Sequence, residues 1–97
     1  MKGWRSKREP VLVSREITIS NELGMHARPA AEFARKAGSF RSDVTLIKDG
    51  QRFSATSVID ILRANLERGA TATLEANGHD APEAVEALAR LLGELRD

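Results

Sequence analysis

The run from Gly24 to Gly38, GMHARPAAEFARKAG, places the first helix of this 97-residue chain, and the rest of the chain arranges itself around it. Ala27, Ala30, Ala31, Ala34 and Ala37 recur at helical spacing with Phe33 beside them, which gives the segment one apolar face. Pro29 suits a first helical turn, where its missing N–H would have no partner anyway. Gly38 is a natural stop. The spacing predicts a helix over 27–37 with His26 at its N-terminal edge.

Upstream, Val13, Ile17 and Ile19 share one face of an alternating pattern, which predicts a strand over 11–20. Asn21-Glu22-Leu23-Gly24 breaks it with turn chemistry. Downstream, Val44 and Leu46 alternate with Asp43 and Thr45 in a second strand. Asp49-Gly50 is a hairpin turn, and Gln51 to Ser54 form the return strand. Ser57 is positioned to cap a short helix containing Val58, Ile59, Ile61 and Leu62, and Gly69 closes that region. Ala72, Leu74 and Ala76 alternate with Thr71, Thr73 and Glu75 as a fourth strand, turned at Asn77-Gly78. Asp80 and Glu83 have capping-box spacing, with Pro82 early in a last helix whose apolar stripe is Ala84, Leu88, Leu91, Leu92 and Leu95. The predicted order is β-α-β-β-α-β-α. One polar face on the strands implies an α+β fold, an antiparallel sheet with helices on one face only.

At this length the chain makes one domain with a single core and no large enclosed cavity. Hydrophobic residues at 41% and charged residues at 30% are ordinary for a soluble globular protein. The absence of cysteine excludes disulfides, thiolate catalysis and thiolate metal sites. Residues 1–10, MKGWRSKREP, hold Lys2, Arg5, Lys7 and Arg8 against Glu9, so they read as a mobile basic tail ahead of a domain over 11–97. The domain itself is slightly acidic, which argues against a broad nucleic-acid footprint. The apolar run Val11-Leu12-Val13 is too short for a signal peptide core or a membrane span, so a cytoplasmic protein without membrane insertion is expected.

His26 is one of two histidines. At a helix start, the N–H groups of the first turn and the positive end of the dipole point towards its ring. That environment favours an anion attached to the ring. Arg28 adds a fork of donors suited to phosphate oxygens. Helix-end stabilisation of an anion is worth about 0.3–1 kcal/mol. A hydrogen bond to a charged group contributes about 1.5–3 kcal/mol. Such modest grips suit a group that must be released, because each ~1.4 kcal/mol is a factor of ten in retention. Position and residue type indicate anion chemistry without naming the anion, and a histidine beside a turn can also be a plain surface residue or cap. His79 lies in the turn Asn77-Gly78-His79-Asp80 and reads as a surface residue; neither histidine has a second ligand at metal spacing.

GMHARPAA, residues 24–31, resembles the active-site signature of the HPr family, the histidine-containing phosphocarriers of the phosphoenolpyruvate-dependent phosphotransferase system. FSATSVIDIL, residues 53–62, is similar to the family's second signature around its regulatory serine. DGQ before it and LERGATATLEANGHDAPEAVEALARLL after it extend the resemblance over about residues 15–95. The resemblance implies an open-faced β-sandwich of four antiparallel strands and three helices. It implies that His26 carries the phosphoryl group on Nδ1, that Arg28 contacts it, and that the backbone N–H groups of Ala27 and Arg28 help to hold it. The implied donor is phosphorylated enzyme I, the acceptor is an enzyme IIA protein, and no metal or other cofactor is needed on a carrier that is not itself an enzyme.

Ser57 matches a serine that some members have phosphorylated by an ATP-dependent kinase, with a phosphorylase reversing it; the other reading is a plain N-cap. Val58, Ile59 and Leu62 match an exposed docking patch beside His26, although apolar residues at helical spacing can equally be core. Arg35 and Arg63 could rim that patch. Asp60 departs from the small residue common in the second signature, and the tail is longer than the usual family start. The signature is also similar to the nitrogen-related NPr branch, so both sugar transport and regulation remain open. The expected protein is a monomeric carrier; the alternative is a regulatory module of the same fold acting through Ser57 or its unphosphorylated surface.

Overall fold

The structure, a computed structural model, describes residues 9–96. Most of the basic tail expected over 1–10 lies outside the described residues; Glu9 and Pro10 are exposed. The elements run β1 (Val11–Thr18), α1 (Ala27–Gly38), β2 (Asp43–Lys48), β3 (Gln51–Ser54), α2 (Val58–Arg63), β4 (Thr71–Gly78) and α3 (Ala81–Gly93). The four strands form one antiparallel sheet in the order β1-β4-β2-β3, with the helices on one face, as the sequence predicts.

Alternation explains which sheet face is covered. Ala72, Leu74 and Ala76 of β4 pair with Ile17, Arg15 and Val13 of β1 on one side. Leu46 and Val44 of β2 face Leu74 and Ala76 on the other. These apolar positions all point to the helices, where Phe33, Ile61 and Leu88 fill the core without solvent contact. The opposite face carries Ser14, Glu16, Thr45, Thr73 and Glu75, and Glu75 pairs there with Arg52 of β3. The β2–β3 turn places Asp49 at φ 53° and Gly50 at φ 79°, the left-handed pair that a two-residue hairpin requires.

Local details differ from the sequence prediction in three places. The first strand ends at Thr18, not residue 20, but Ile19 stays buried because its N–H donates to Ala70 O and its carbonyl accepts from Gly69 N. Helix α1 keeps Gly38 in helical conformation and ends at Ser39, whose hydroxyl donates to Lys36 O at 2.6 Å. Helix α2 is short, as expected, and Asn65 takes φ 55° just after its last turn, the left-handed exit that asparagine tolerates. At the start of α3 Asp80 is the N-cap residue, yet its carboxylate makes no capping bond. It accepts instead from the α1–β2 connection, so the expected capping box does not form.

Candidate functional site

His26 is the N-cap residue of α1, extended in backbone conformation, with its carbonyl accepting the first intrahelical bond from Ala30 N at 3.0 Å. The imidazole makes no capping bond to its own helix. Pro29 has no N–H, so the donors of the opening turn belong to Ala27 and Arg28. No acidic side chain lies in that turn. The positive helix end therefore meets no carboxylate from its own first turn, and the Arg28 side chain is exposed beside it. The His26 ring is half-buried, with Nε2 shielded from solvent.

The loop before His26 is held from two directions. Asn21, 5% exposed, donates from Nδ2 to Gly24 O at 2.8 Å, and the same carbonyl accepts from His26 N at 3.0 Å. Met25 N donates to Leu66 O at 2.9 Å, which ties the loop to the segment after α2. Gly24 sits so close to that segment that a Cβ on it would lie 2.6 Å from Leu66 O, and its φ of +67° already disfavours a side chain. Lys48 fastens the same segment from the sheet side, donating from Nζ to Ala64 O at 3.1 Å and Asn65 O at 2.7 Å. Sequence reading recognised the turn around Asn21 but not its role, and it missed Lys48, because both bonds depend on which backbone atoms the fold brings near.

Helix α2 lies against α1 and brings its residues towards the same region. Ser57 is the N-cap, accepting from Asp60 N at 3.2 Å. Asp60 in turn accepts from Ser54 N at 3.2 Å and faces Arg63 at 3.4 Å. Ile61 is fully buried, whereas Ile59 is 68% and Leu62 42% exposed; Val58 is half-buried against the core. A depression of about 120 Å³ beside His26 is lined by Leu23, Met25, Leu62, Asn65, Leu66 and Glu67. Arg35 is exposed farther along α1, in a larger groove of about 410 Å³ between α1 and α3 that does not include His26. His79 is exposed in its turn. Among the described residues, no group of three or more histidine, cysteine or acidic side chains could hold a metal ion, and no helix is long and apolar enough to cross a membrane.

Residues 13–94 match the family model described as PTS HPr component phosphorylation site. The phosphocarrier protein HPr of Vibrio cholerae is 36% identical over 84 residues, covering 87% of this chain and 99% of its own. The HPr-like protein Crh of Bacillus subtilis is 37% identical over 83 residues, covering 86% of this chain and 98% of its own. The crystal structure of phosphocarrier protein HPr from Bacillus anthracis superposes with a TM-score of 0.80 at 36% identity, covering 84% of this chain and 96% of that one. With the open-faced sheet, the three helices and a histidine at the head of α1 in place, these likenesses put the chain in the phosphocarrier HPr family of the phosphotransferase system, whose members are carriers and not enzymes.

Proposed function

We propose that this protein relays phosphoryl groups through His26, accepting from phosphorylated enzyme I and passing to a histidine of an enzyme IIA protein. The observation that carries the reading is His26 at the N-cap of α1, with no acidic side chain in the first turn and Arg28 two positions on. Nε2 is shielded from solvent, which supports Nδ1 as the nitrogen that takes the phosphoryl group. The Nδ1 lone pair attacks phosphorus while the bond from phosphorus to the donor's imidazole nitrogen breaks and its electron pair returns to that ring. The His26 proton stays on Nε2. The Ala27 and Arg28 amides and the Arg28 guanidinium then face the phosphoryl oxygens. Reversal of the same step, with a new imidazole attacking, hands the group on.

Ile59 and Leu62 offer apolar surface for docking on the α2 side, with Val58 supporting them and Arg63 at the edge; Arg35 lies farther along α1. The protein acts as a monomeric cytoplasmic shuttle in this reading. Incubation with phosphoenolpyruvate and enzyme I tests it. Wild type should acquire one acid-labile, base-stable phosphate and His26→Ala none. Equal labelling of both, or of neither, would refute the assignment.

A further inference from the structure

Val44, Leu46 and Lys48 alternate along β2 on the side that faces the helices. Val44 and Leu46 are buried in the core. Lys48 takes the third inward position, where the pattern asks for another apolar residue, and it is half-buried. Its ammonium is spent on backbone, on Ala64 O at 3.1 Å and Asn65 O at 2.7 Å. Both carbonyls come just after the last turn of α2, an end where a cation is favoured. The next carbonyl along the chain, Leu66 O, accepts from Met25 N at 2.9 Å, and Met25 precedes His26. At the other end of this segment Gly69 N donates to Ile19 O at 2.7 Å, and Ile19 N donates to Ala70 O at 2.9 Å. The stretch that carries the His26 loop is thus fastened at both ends, and Lys48 is the side-chain fastening nearer the histidine.

We infer that Lys48 is a positioning residue for His26: its ammonium fixes the backbone from which the His26 loop hangs. The inference rests on the carrier reading above. Asn65 O, which Lys48 holds, and Leu66 O, which holds Met25, belong to consecutive residues, so a shift of one carries the other with it. The loop has no slack to absorb such a shift. Gly24 lies so close to Leu66 O that even a Cβ would not fit between them, and Gly24 O accepts from His26 N at 3.0 Å. Hydrogen bonds from an ammonium are about twice as strong as neutral ones, which suits Lys48 to hold the segment still. Phosphoryl transfer needs the ring nitrogen in line with the arriving phosphorus, and a misplacement of about 1 Å costs up to a hundredfold in rate. Lys48 therefore acts through the backbone on the geometry of the exchange, while the hold on the bound phosphate belongs to the head of α1.

Steady-state phosphoryl uptake from phosphorylated enzyme I tests this with Lys48→Met, Lys48→Arg and Ser42→Ala. Methionine keeps an unbranched stem and removes the donors; arginine restores charged donors. Ser42→Ala loses a hydrogen bond at the opposite end of β2, so it shows what lost stability does by itself. Lys48→Met should lower kcat about tenfold with KM changed by less than about twofold, Lys48→Arg should recover most of that loss, and Ser42→Ala should behave as wild type. Amide hydrogen exchange supplies the second readout: the Met25 N–H should exchange about tenfold faster in Lys48→Met than in Ser42→Ala. A wild-type kcat in Lys48→Met, an equal fall in Ser42→Ala, no recovery in Lys48→Arg, or unchanged exchange at Met25 would overturn the assignment while leaving the carrier reading intact. Failure of wild type to take up phosphate would overturn both.

Discussion

Asp80 and Ser42, 38 positions apart, meet through one carboxylate oxygen: Oδ1 accepts from the Ser42 hydroxyl at 2.6 Å and from the Ser42 amide at 2.9 Å. The other oxygen, Oδ2, accepts from Arg41 N at 2.9 Å. A single side chain at the head of α3 thus pins the connection between α1 and β2, and the ends of three elements are fixed together.

This pin makes stability depend on pH in a definite direction. The Ser42 hydroxyl first, and the Arg41 amide next, hold the Asp80 carboxyl below its ordinary value, with desolvation opposing them. A depressed folded-state value means that the unfolded chain takes up the proton more readily. The contribution is therefore complete above the ordinary carboxylate range and is lost as pH falls through the depressed value. Asp80→Asn should be less stable than wild type near neutral pH, and the gap should close in strong acid. Urea unfolding of both proteins from pH 7 to pH 2 measures it; a gap that widens on acidification would contradict the assignment. Ser42→Ala, at a position 6% exposed, should cost about 1 kcal/mol at pH 7.

Gly24→Ala should damage the fold and the site together. The backbone at φ +67° costs a residue with a side chain about 1–2 kcal/mol. The added carbon also meets Leu66 O at 2.6 Å, which the close packing there leaves no room to relieve. A loss of about 2–4 kcal/mol in unfolding free energy is expected, with a fall in phosphoryl uptake because His26 N bonds to Gly24 O. Denaturant midpoints and uptake rates measured on one preparation test both parts. A midpoint within error of wild type would show that the loop yields freely.

How much of this was legible beforehand follows from the range of each interaction. The alternation of Ala72, Leu74 and Ala76 and the alanine ladder from Ala27 to Ala37 are local signals, and both elements form where the pattern puts them. Local chemistry also marked Ser57 as a cap. Asp80 misled, because Asp at N-cap spacing with Glu three residues on satisfies a local rule, while its actual donors lie 38 and 39 positions away. Helical spacing on α2 could not say which stripe faces out; the buried Ile61 and the exposed Ile59 answer that only once α1 is packed alongside. At His26 the residue types were readable, but the loop that holds it depends on Leu66 O and, through its neighbours, on Lys48, which no spacing rule connects.

Ser57→Ala should separate the fold from the relay. Its hydroxyl accepts from Asp60 N at 3.2 Å and satisfies one opening donor of α2. Losing it should cost about 1 kcal/mol, and Ser57→Gly only a few tenths. Uptake at His26 should remain close to wild type, because the Ser57 hydroxyl is engaged at the head of its own helix, α2. Thermal unfolding and uptake assays, run side by side, check the pair of expectations. A severe loss of uptake without a loss of stability would mean that Ser57 has a direct part in the exchange.

Arg28 gives the sharpest test of how the phosphoryl group is held. Its side chain is exposed at the second position of α1, so replacing it leaves the core untouched. Arg28→Ala should leave the unfolding midpoint within about 0.5 kcal/mol of wild type. Removing one charge-assisted hydrogen bond, worth about 1.5–3 kcal/mol, should slow uptake by roughly ten- to a hundredfold. Arg28→Lys keeps the charge but loses the planar fork and should fall between the two. Added salt should reduce the wild-type rate more than that of Arg28→Ala, because screening removes an attraction that the variant no longer has. If Arg28→Ala takes up phosphate as fast as wild type at low salt, the Ala27 and Arg28 amides hold the group unaided and the guanidinium serves elsewhere.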